Sequence, residues 1–389
     1  MIERLGAIMF DTIVIGAGFA GSVVARELAE NNEKVLLLEQ RDHIGGNCYD
    51  AMDEHGILVH KYGPHIFHTS KEEVYKYLSR FTEWYAFRHK VVGNVYGKLL
   101  PVPFNLHTLE IVYGKEKAEE LKKELISTYG EGAKVPILEL RKNPSKEIQE
   151  LAEYVYENIF LRYTMKQWGQ KPEEVDASVT ARVPVVLSYD DSYFQDKYQG
   201  MPKDSYTSLF EKMLNHPNIT LQTSCKAQDR LTIPKKGHVL LDGETFTGKV
   251  VYTGPIDELF DHRFGRLPYR SLDFVFEHYD VDYFQSNSVV NYNVSEDYTR
   301  ITEFKYLTGQ EKPKSTTIMK EYPRTYTGED GQIPYYAIMN DENRALYEKY
   351  TDLLKDIPNF YLVGRLAEYK YYNIDAIVER ALQVAAEIK

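Results

Sequence analysis

The sequence predicts an α/β fold: a parallel, ligand-binding sheet interrupted by two insertions, one mainly helical and one an antiparallel β-sheet. Three observations predict it. Near the start, the apolar run Ile13-Val14-Ile15 breaks into Gly16-Ala17-Gly18-Phe19-Ala20-Gly21, and a helical pattern follows. A second run, Val35-Leu36-Leu37-Leu38, then ends in Glu39. Near the other end, Phe360-Tyr361-Leu362-Val363-Gly364-Arg365 is again a strand into glycine, followed by a helical pattern over 374–388.

The first unit is strand, glycine turn, helix. Gly16 allows the turn, Gly18 lets the backbone approach a pyrophosphate, and Gly21 lets the helix pack closely on the strand. The helix N-terminus offers free N–H groups and a positive dipole end to phosphate. Glu39 can accept hydrogen bonds from a ribose diol. The unit therefore reads as a Rossmann-like dinucleotide site. The next stretch, Gln40-Arg41-Asp42-His43-Ile44-Gly45-Gly46-Asn47, adds a second glycine pair suited to close backbone approach. It looks like the ExRxxxGG extension of two-domain FAD enzymes, which nicotinamide dehydrogenases do not usually carry. A late strand-turn-helix commonly closes over the flavin in such enzymes.

Between these ends, residues 71–80, 115–128 and 145–165 carry Glu, Lys and Leu at helical spacing. Breakers such as Pro101, Pro103, Gly130 and Pro144 separate them. Residues 183–189 and 268–306 are rich in Val, Tyr, Phe and Thr, with alternation through Asp273-Phe274-Val275-Phe276-Glu277, and read as β-structure. Residues 219–254 return to short strands that would complete the nucleotide sheet. The expected organisation is a discontinuous FAD-binding domain (1–70, 205–260 and 340–389). Into it are inserted a mainly helical domain with a substrate lid (71–178) and an antiparallel sheet domain (179–204 and 261–339).

The 389 residues are long for one core, which suits this division. A formal net charge of −11 argues against a nucleic-acid surface. An acidic protein that binds an anion must concentrate Arg or Lys locally. Two cysteines, Cys48 and Cys225, give no disulfide framework and suit a reducing, cytoplasmic location; Cys48 reads as a small buried residue. No apolar run approaches the length of a membrane span. The segment before Met9 reads as an appendage to the first strand. Tyrosine, 32 residues, is unusually frequent, with clusters at Tyr335-Tyr336 and Tyr369 to Tyr372.

The motifs YGPHIFHT (62–69), LPVPFNL (100–106), RYTMKQWG (162–169), YFQDKYQGMP (193–202), YTGPID (252–257), YRSL (269–272), YTRITEFK (298–305), KEYP (320–323) and GRLAEYKYYN (364–373) carry a resemblance. Over nearly its whole length the chain resembles the bacterial UDP-galactopyranose mutases. The resemblance implies interconversion of UDP-galactopyranose and UDP-galactofuranose by reduced FAD, whose N5 forms a covalent adduct with the sugar, without net redox change. It implies an external reductant such as NAD(P)H, a homodimer and no metal. Arg182 and Arg300 would clamp the diphosphate, and His68 would face the flavin. Trp168, Ile159, Phe160, Tyr163 and Thr164 would hold the uridine, with Ile159 standing where the family often has Phe. Tyr193, Tyr336 and Tyr371 would bind phosphate oxygens, and Asn291, Arg270 and His89 would lie beside the sugar or flavin. FAD would lie against Gly16, Gly18, Phe19, Gly21, Glu39, Gln40, Arg41, Gly46, Asn47, His65, Gly364, Arg365, Asn373 and Ile374. Asn373 replaces the usual Asp. The competing reading is a FAD-dependent oxidoreductase of the amine-oxidase type, which uses the same scaffold for hydride transfer.

Overall fold

The computed structural model describes residues 10–169, 184–233, 237–294 and 296–389. At its centre is a five-stranded parallel sheet. The strand order is Ile219–Gln222, Val35–Leu38, Thr12–Ile15, Lys249–Tyr252, Phe360–Leu362. Its inner strands are fully buried apolar runs because both faces are covered. Alternation assigns the faces. Val14, Leu37 and Val251 point to one core, shared with Val23, Val24 and Leu28 of helix Phe19–Glu30 and with Val378, Ala381 and Val384 of helix Ile374–Ile388. Ile13, Ile15, Leu36, Leu38, Val250 and Tyr252 point to the other, which Tyr350 and Leu354 help close.

The first glycine turn has the geometry that its sequence requires. Gly16 sits at φ +98°, and a Cβ on Gly21 would lie 1.9 Å from the Gly16 carbonyl oxygen. Helix Phe19–Glu30 thus starts hard against the end of strand Thr12–Ile15, with Gly18 as its N-cap.

A seven-stranded sheet forms the second layer. The order is Tyr336–Ala337, Tyr269–Tyr279, Thr316–Thr325, Arg300–Glu303, Val289–Tyr292, Val91–Val95, Lys98–Val102. All neighbours are antiparallel except Val289–Tyr292 with Val91–Val95. The last two strands add β-structure to the segment 71–178, expected to be mainly helical. They form a hairpin across Tyr96-Gly97, both at positive φ, as a tight hairpin turn demands. Pro101, read as a breaker, is tolerated because its strand is the sheet edge. The β-run expected over 268–306 ends at Glu303, where helix Phe304–Thr308 begins.

A second correction concerns 219–254. Only Ile219–Gln222 and Lys249–Tyr252 join the nucleotide sheet. Leu231–Thr232, Val239–Leu241 and Glu244–Phe246 make a separate three-stranded antiparallel sheet. The positive-φ pair Asp242-Gly243 folds that segment back on itself.

The helices appear where expected: Glu72–Leu78, Lys115–Tyr129, Lys146–Val155 and Arg162–Trp168. Helix Leu106–Tyr113 begins at a capping box between Asn105 and Thr108. A wide π turn, Tyr156–Leu161, joins the last two long helical stretches. Such turns favour functional sites, and this one carries Ile159 and Phe160.

The Gly16–Gly21 contact gives a direct test. Gly21→Ala forces a methyl into a backbone carbonyl and should cost about 1–3 kcal/mol of stability. An unchanged unfolding midpoint in denaturant would contradict the packing role.

Candidate active site

Two cavities meet where the sheets adjoin. The larger has a volume of about 800 Å³ and lies at the carboxyl ends of the parallel strands, where open α/β sheets bind ligands. The smaller, about 230 Å³, lies between the seven-stranded sheet and the π turn with its following helix. His65, Tyr335, Arg365, Asn373 and Ile374 line both.

The larger cavity is walled by Gly16, Gly18, Phe19, Glu39, Gln40, Arg41, Gly46, Asn47, His65, Gly364, Arg365, Asn373 and Ile374. Gly21 is not on the wall, because its role is the helix contact described above. Gly18 faces Gly46 so closely that a Cβ on Gly46 would stand 3.0 Å from the Gly18 Cα. Glu39 is buried. Its Oε2 accepts the Ala17 N–H at 2.8 Å and its Oε1 accepts the Arg41 N–H at 2.9 Å, so the acid fastens the glycine turn to the second strand. Each oxygen keeps a second lone pair for a ribose hydroxyl. The Arg41 guanidinium lies over the Tyr62 ring, 4.3 Å from its centroid, and bonds Asn47 Oδ1 at 3.0 Å. Its buried Nη1 has no hydrogen-bond partner among the described residues. An unmatched cationic donor, a glycine cradle and a helix N-terminus suit a dinucleotide pyrophosphate. These residues fit a flavin dinucleotide. Cys48, also on this wall, is buried, and burial pushes its thiol pKa up, as a structural cysteine requires.

The smaller cavity takes its residues from one helical stretch, the seven-stranded sheet and several connecting segments. The π turn and the helix after it supply Ile159, Phe160, Tyr163, Thr164 and Gln167, one face at helical spacing. The seven-stranded sheet supplies Asn291, Asn293, Arg300 and Tyr336. Strand register puts Asn291 beside Arg300 and Arg300 beside Glu321, so three strands present one polar row on one face. Gly93 neighbours Asn291 in that row. A Cβ there would come within 3.3 Å of Asn293 Nδ2. His68, His89, Tyr193 and Tyr371 complete the wall. Tyr335 and Tyr336 both reach it; the Tyr335 hydroxyl donates to the Tyr62 carbonyl at 2.9 Å, while Tyr336 stacks with Tyr371.

Arg300 Nε lies 2.7 Å from Glu321 Oε1, an ion pair whose N–H does not align with the oxygen. Glu321 is fully buried. Burial pushes its pKa up and Arg300 pulls against that shift. Burial likewise opposes the Arg300 charge, but Glu321 outweighs it and holds the guanidinium pKa above its ordinary value. His89 and His65 are both driven down to about 3, mainly by burial. Arg300 and His68 add to this at His89; His60 and Arg365 do so at His65. The cavity wall is thus cationic at Arg300 and Arg365 and neutral at these two imidazoles.

Arg270 is a correction. It lines neither cavity. Its guanidinium donates to the carbonyls of Gln167 (3.1 Å) and Lys166 (3.3 Å) at the end of helix Arg162–Trp168. Helix C-terminal carbonyls carry partial negative charge and attract a cation there. The Trp168 indole and Arg182 lie outside the described residues, as does most of the expected lid. The sequence reading missed Gln167, Asn293, Phe194 and Glu321, and held Tyr335 only as the alternative to Tyr336. Helical spacing from Tyr163 and strand spacing from Asn291 already pointed to the first two.

The comparisons bear on this arrangement. A family model for UDP-galactopyranose mutase matches residues 158–371, and one for an NAD(P)-binding Rossmann-like domain matches residues 14–81. The chain belongs to the UDP-galactopyranose mutase family. It is 38% identical to the dTDP-fucopyranose mutase of Escherichia coli over 97% of this chain and 98% of that protein. It is also 38% identical to a probable UDP-galactopyranose mutase of Klebsiella pneumoniae, over 96% and 94% respectively. A crystal structure of reduced UDP-galactopyranose mutase shares the fold, with TM-score 0.70, 16% identity and coverage of 98% of this chain and 94% of that one. Sequence likeness to a flavin-containing amine oxidase of the dog spans 58 residues, 15% of this chain. The oxidoreductase reading has only this distant support.

Two predictions follow from the electrostatics. Arg300→Ala strands a buried carboxylate and should cost about 3–5 kcal/mol, most of it recovered in Arg300→Ala/Glu321→Gln; chemical denaturation of the three proteins checks this. His89 has an ordinary pKa of 6.5 and a folded value of about 3. Below 6.5 the unfolded chain takes up a proton that the folded chain refuses. Stability should therefore fall by about 1.4 kcal/mol per pH unit on acidification through this window. His89→Gln should flatten the slope by that amount.

Proposed function

We propose that this chain interconverts UDP-galactopyranose and UDP-galactofuranose with a reduced FAD bound in the larger cavity. The observation that carries the reading is the meeting of the two cavities, with Arg300 in the wall of the smaller. Bound and reduced, the flavin supplies a nucleophilic nitrogen for the anomeric carbon. The chain's own residues do the rest. Arg300, with Arg182, neutralises the diphosphate as it leaves and returns. Tyr193, Tyr336 and Tyr371 offer hydroxyls to its oxygens. Ile159 and Phe160, with Tyr163, Thr164 and Trp168, hold the uridine. His68, Asn291 and His89 border the sugar. Held together, these groups exclude water from a sugar that must not be hydrolysed.

A second reading, dTDP-fucopyranose as substrate, is favoured by equal identity to the E. coli relative. The side-chain oxygens of Asn291, Asn293 and Gln167 favour the first. Each is buried without a hydrogen-bond partner among the described residues. Such acceptors select ligands rich in hydroxyls. UDP-galactose carries a ribose 2′-hydroxyl and a sugar 6-hydroxyl that dTDP-fucose lacks. We further read the protein as a cytoplasmic homodimer reduced by a donor such as NAD(P)H. No helix among the described residues is long and apolar enough to cross a membrane.

The test incubates the yellow protein with UDP-galactofuranose or dTDP-fucofuranose, with and without dithionite, and separates the nucleotide sugars by chromatography. UDP-galactopyranose should form only with reductant. Arg300→Ala should lower turnover by about 10²–10³ while FAD remains bound. Equal rates without reductant, or oxygen consumed in step with product, would remove the reading.

A further inference from the structure

We propose that Asp196 is a positioning residue of the smaller cavity. It fixes the His68 imidazole in the Nδ1–H tautomer and leaves Nε2 as an acceptor for a sugar hydroxyl. The proposal rests on the nucleotide-sugar reading of that cavity.

His68 lies in the middle of strand Phe67–Thr69, paired with Gln199. Its Nδ1 is 2.8 Å from Asp196 Oδ2. The Ser70 hydroxyl donates to the other carboxylate oxygen at 2.9 Å. Gln199 Nε2 donates to the carbonyls of Phe194 (3.1 Å) and Asp196 (2.9 Å), which pins the loop that carries both. The Phe194 ring stacks on the imidazole at 3.6 Å and 12°. One edge and one face of His68 are therefore occupied. His68 and Phe194 line the cavity and Asp196 does not, so the ring edge away from Nδ1 is the one presented to it. A carboxylate only accepts, which places the ring proton on Nδ1 and a lone pair on Nε2.

This acceptor differs from the others. Asn291, Asn293 and Gln167 offer amide oxygens, which do not carry protons. His65 and His89, with pKa values near 3, give up a proton too readily to hold one at neutral pH. Exchanging the sugar's ring oxygen breaks C1–O5 and forms C1–O4, so O5 gains a proton and O4 loses one. An imidazole at the sugar can take the O4 proton on Nε2 and deliver that same proton to O5, so the two changes balance and the ring ends as the neutral Nδ1–H tautomer. Asp196 sets which nitrogen does so, without touching the sugar.

The experiment records imidazole ¹⁵N spectra of the oxidised holoenzyme labelled with ¹⁵N-histidine, alongside steady-state kinetics. The expected wild-type spectrum contains a neutral Nδ1–H histidine that disappears in His68→Gln. In Asp196→Asn the amide nitrogen faces the ring, the signal should move to the Nε2–H form, and kcat should fall at least about tenfold within the 10²–10⁴ that proton transfer contributes, while UDP affinity stays within about twofold. A wild-type Nε2–H tautomer overturns the proposal, even if the variant fails to fold. So does a switched tautomer with unchanged kcat. The expected tautomer in a protein that turns over no nucleotide sugar supports Asp196 as the tautomer-setting residue and removes the mutase reading instead.

Discussion

The site depends on one half-buried cation. Arg300 projects from a sheet strand into the smaller cavity, and only Glu321, on the neighbouring strand and fully buried, balances it within the sheet. A buried ion pair is a poor source of stability, because desolvating two charges offsets most of their attraction. Its presence here is better understood from what the cavity must do. On the proposed reading, a diphosphate would bring negative charge into a confined space, and a guanidinium already held in place there would meet it with little reorganisation. Glu321 keeps that guanidinium charged and oriented while the cavity is free of anion.

The second constraint is continuity of chain between the cavities. Strand Phe360–Leu362 belongs to the parallel sheet; after Gly364 the chain crosses both cavities before helix Ile374–Ile388 returns to the first core. Arg365 Nε bonds the Tyr372 carbonyl at 2.7 Å, and the guanidinium lies 4.4 Å from the centroid of Tyr371. Ten residues thus supply a cation, a phenol and a helix N-terminus at the junction. A dinucleotide and a nucleotide sugar that must touch end to end need such a shared wall.

The nucleotide half of this arrangement was legible because its chemistry is local. Gly16, Gly18, Gly21 and Glu39 declare strand, turn, helix and acid within thirty residues, and the structure keeps every one of those relations. The hairpin of Val91–Val102 was not legible, because Pro101 reads as a breaker unless its strand is known to be an edge. The strands between Leu231 and Phe246 were misassigned to the parallel sheet, since an apolar run carries no mark of which sheet it joins. At the site, matched motifs reached most of the wall, but motif context does not fix where a long side chain points. Arg270 shows this: its sequence position lies beside the ligand groups, while its guanidinium serves helix carbonyls. Glu321 shows the converse. Nothing in Lys-Glu-Tyr-Pro marks a buried carboxylate; only the register of two strands makes it the partner of Arg300.

Asn373 brings these threads together. It is the N-cap of the last helix, with φ −75° and ψ 171°, and it faces both cavities. Its side chain makes no cap hydrogen bond. An aspartate at this point would set a fixed negative charge against the positive end of the helix, near Arg365 and Arg300, and would satisfy part of the field that an anionic ligand is meant to meet. The amide keeps the hydrogen-bonding shape and leaves that field to the ligand. In a chain of net charge −11, whose long-range potential repels anions, binding a diphosphate rests on such local choices. An amide at position 373 therefore leaves the junction of the cavities without the negative charge that an aspartate would place there.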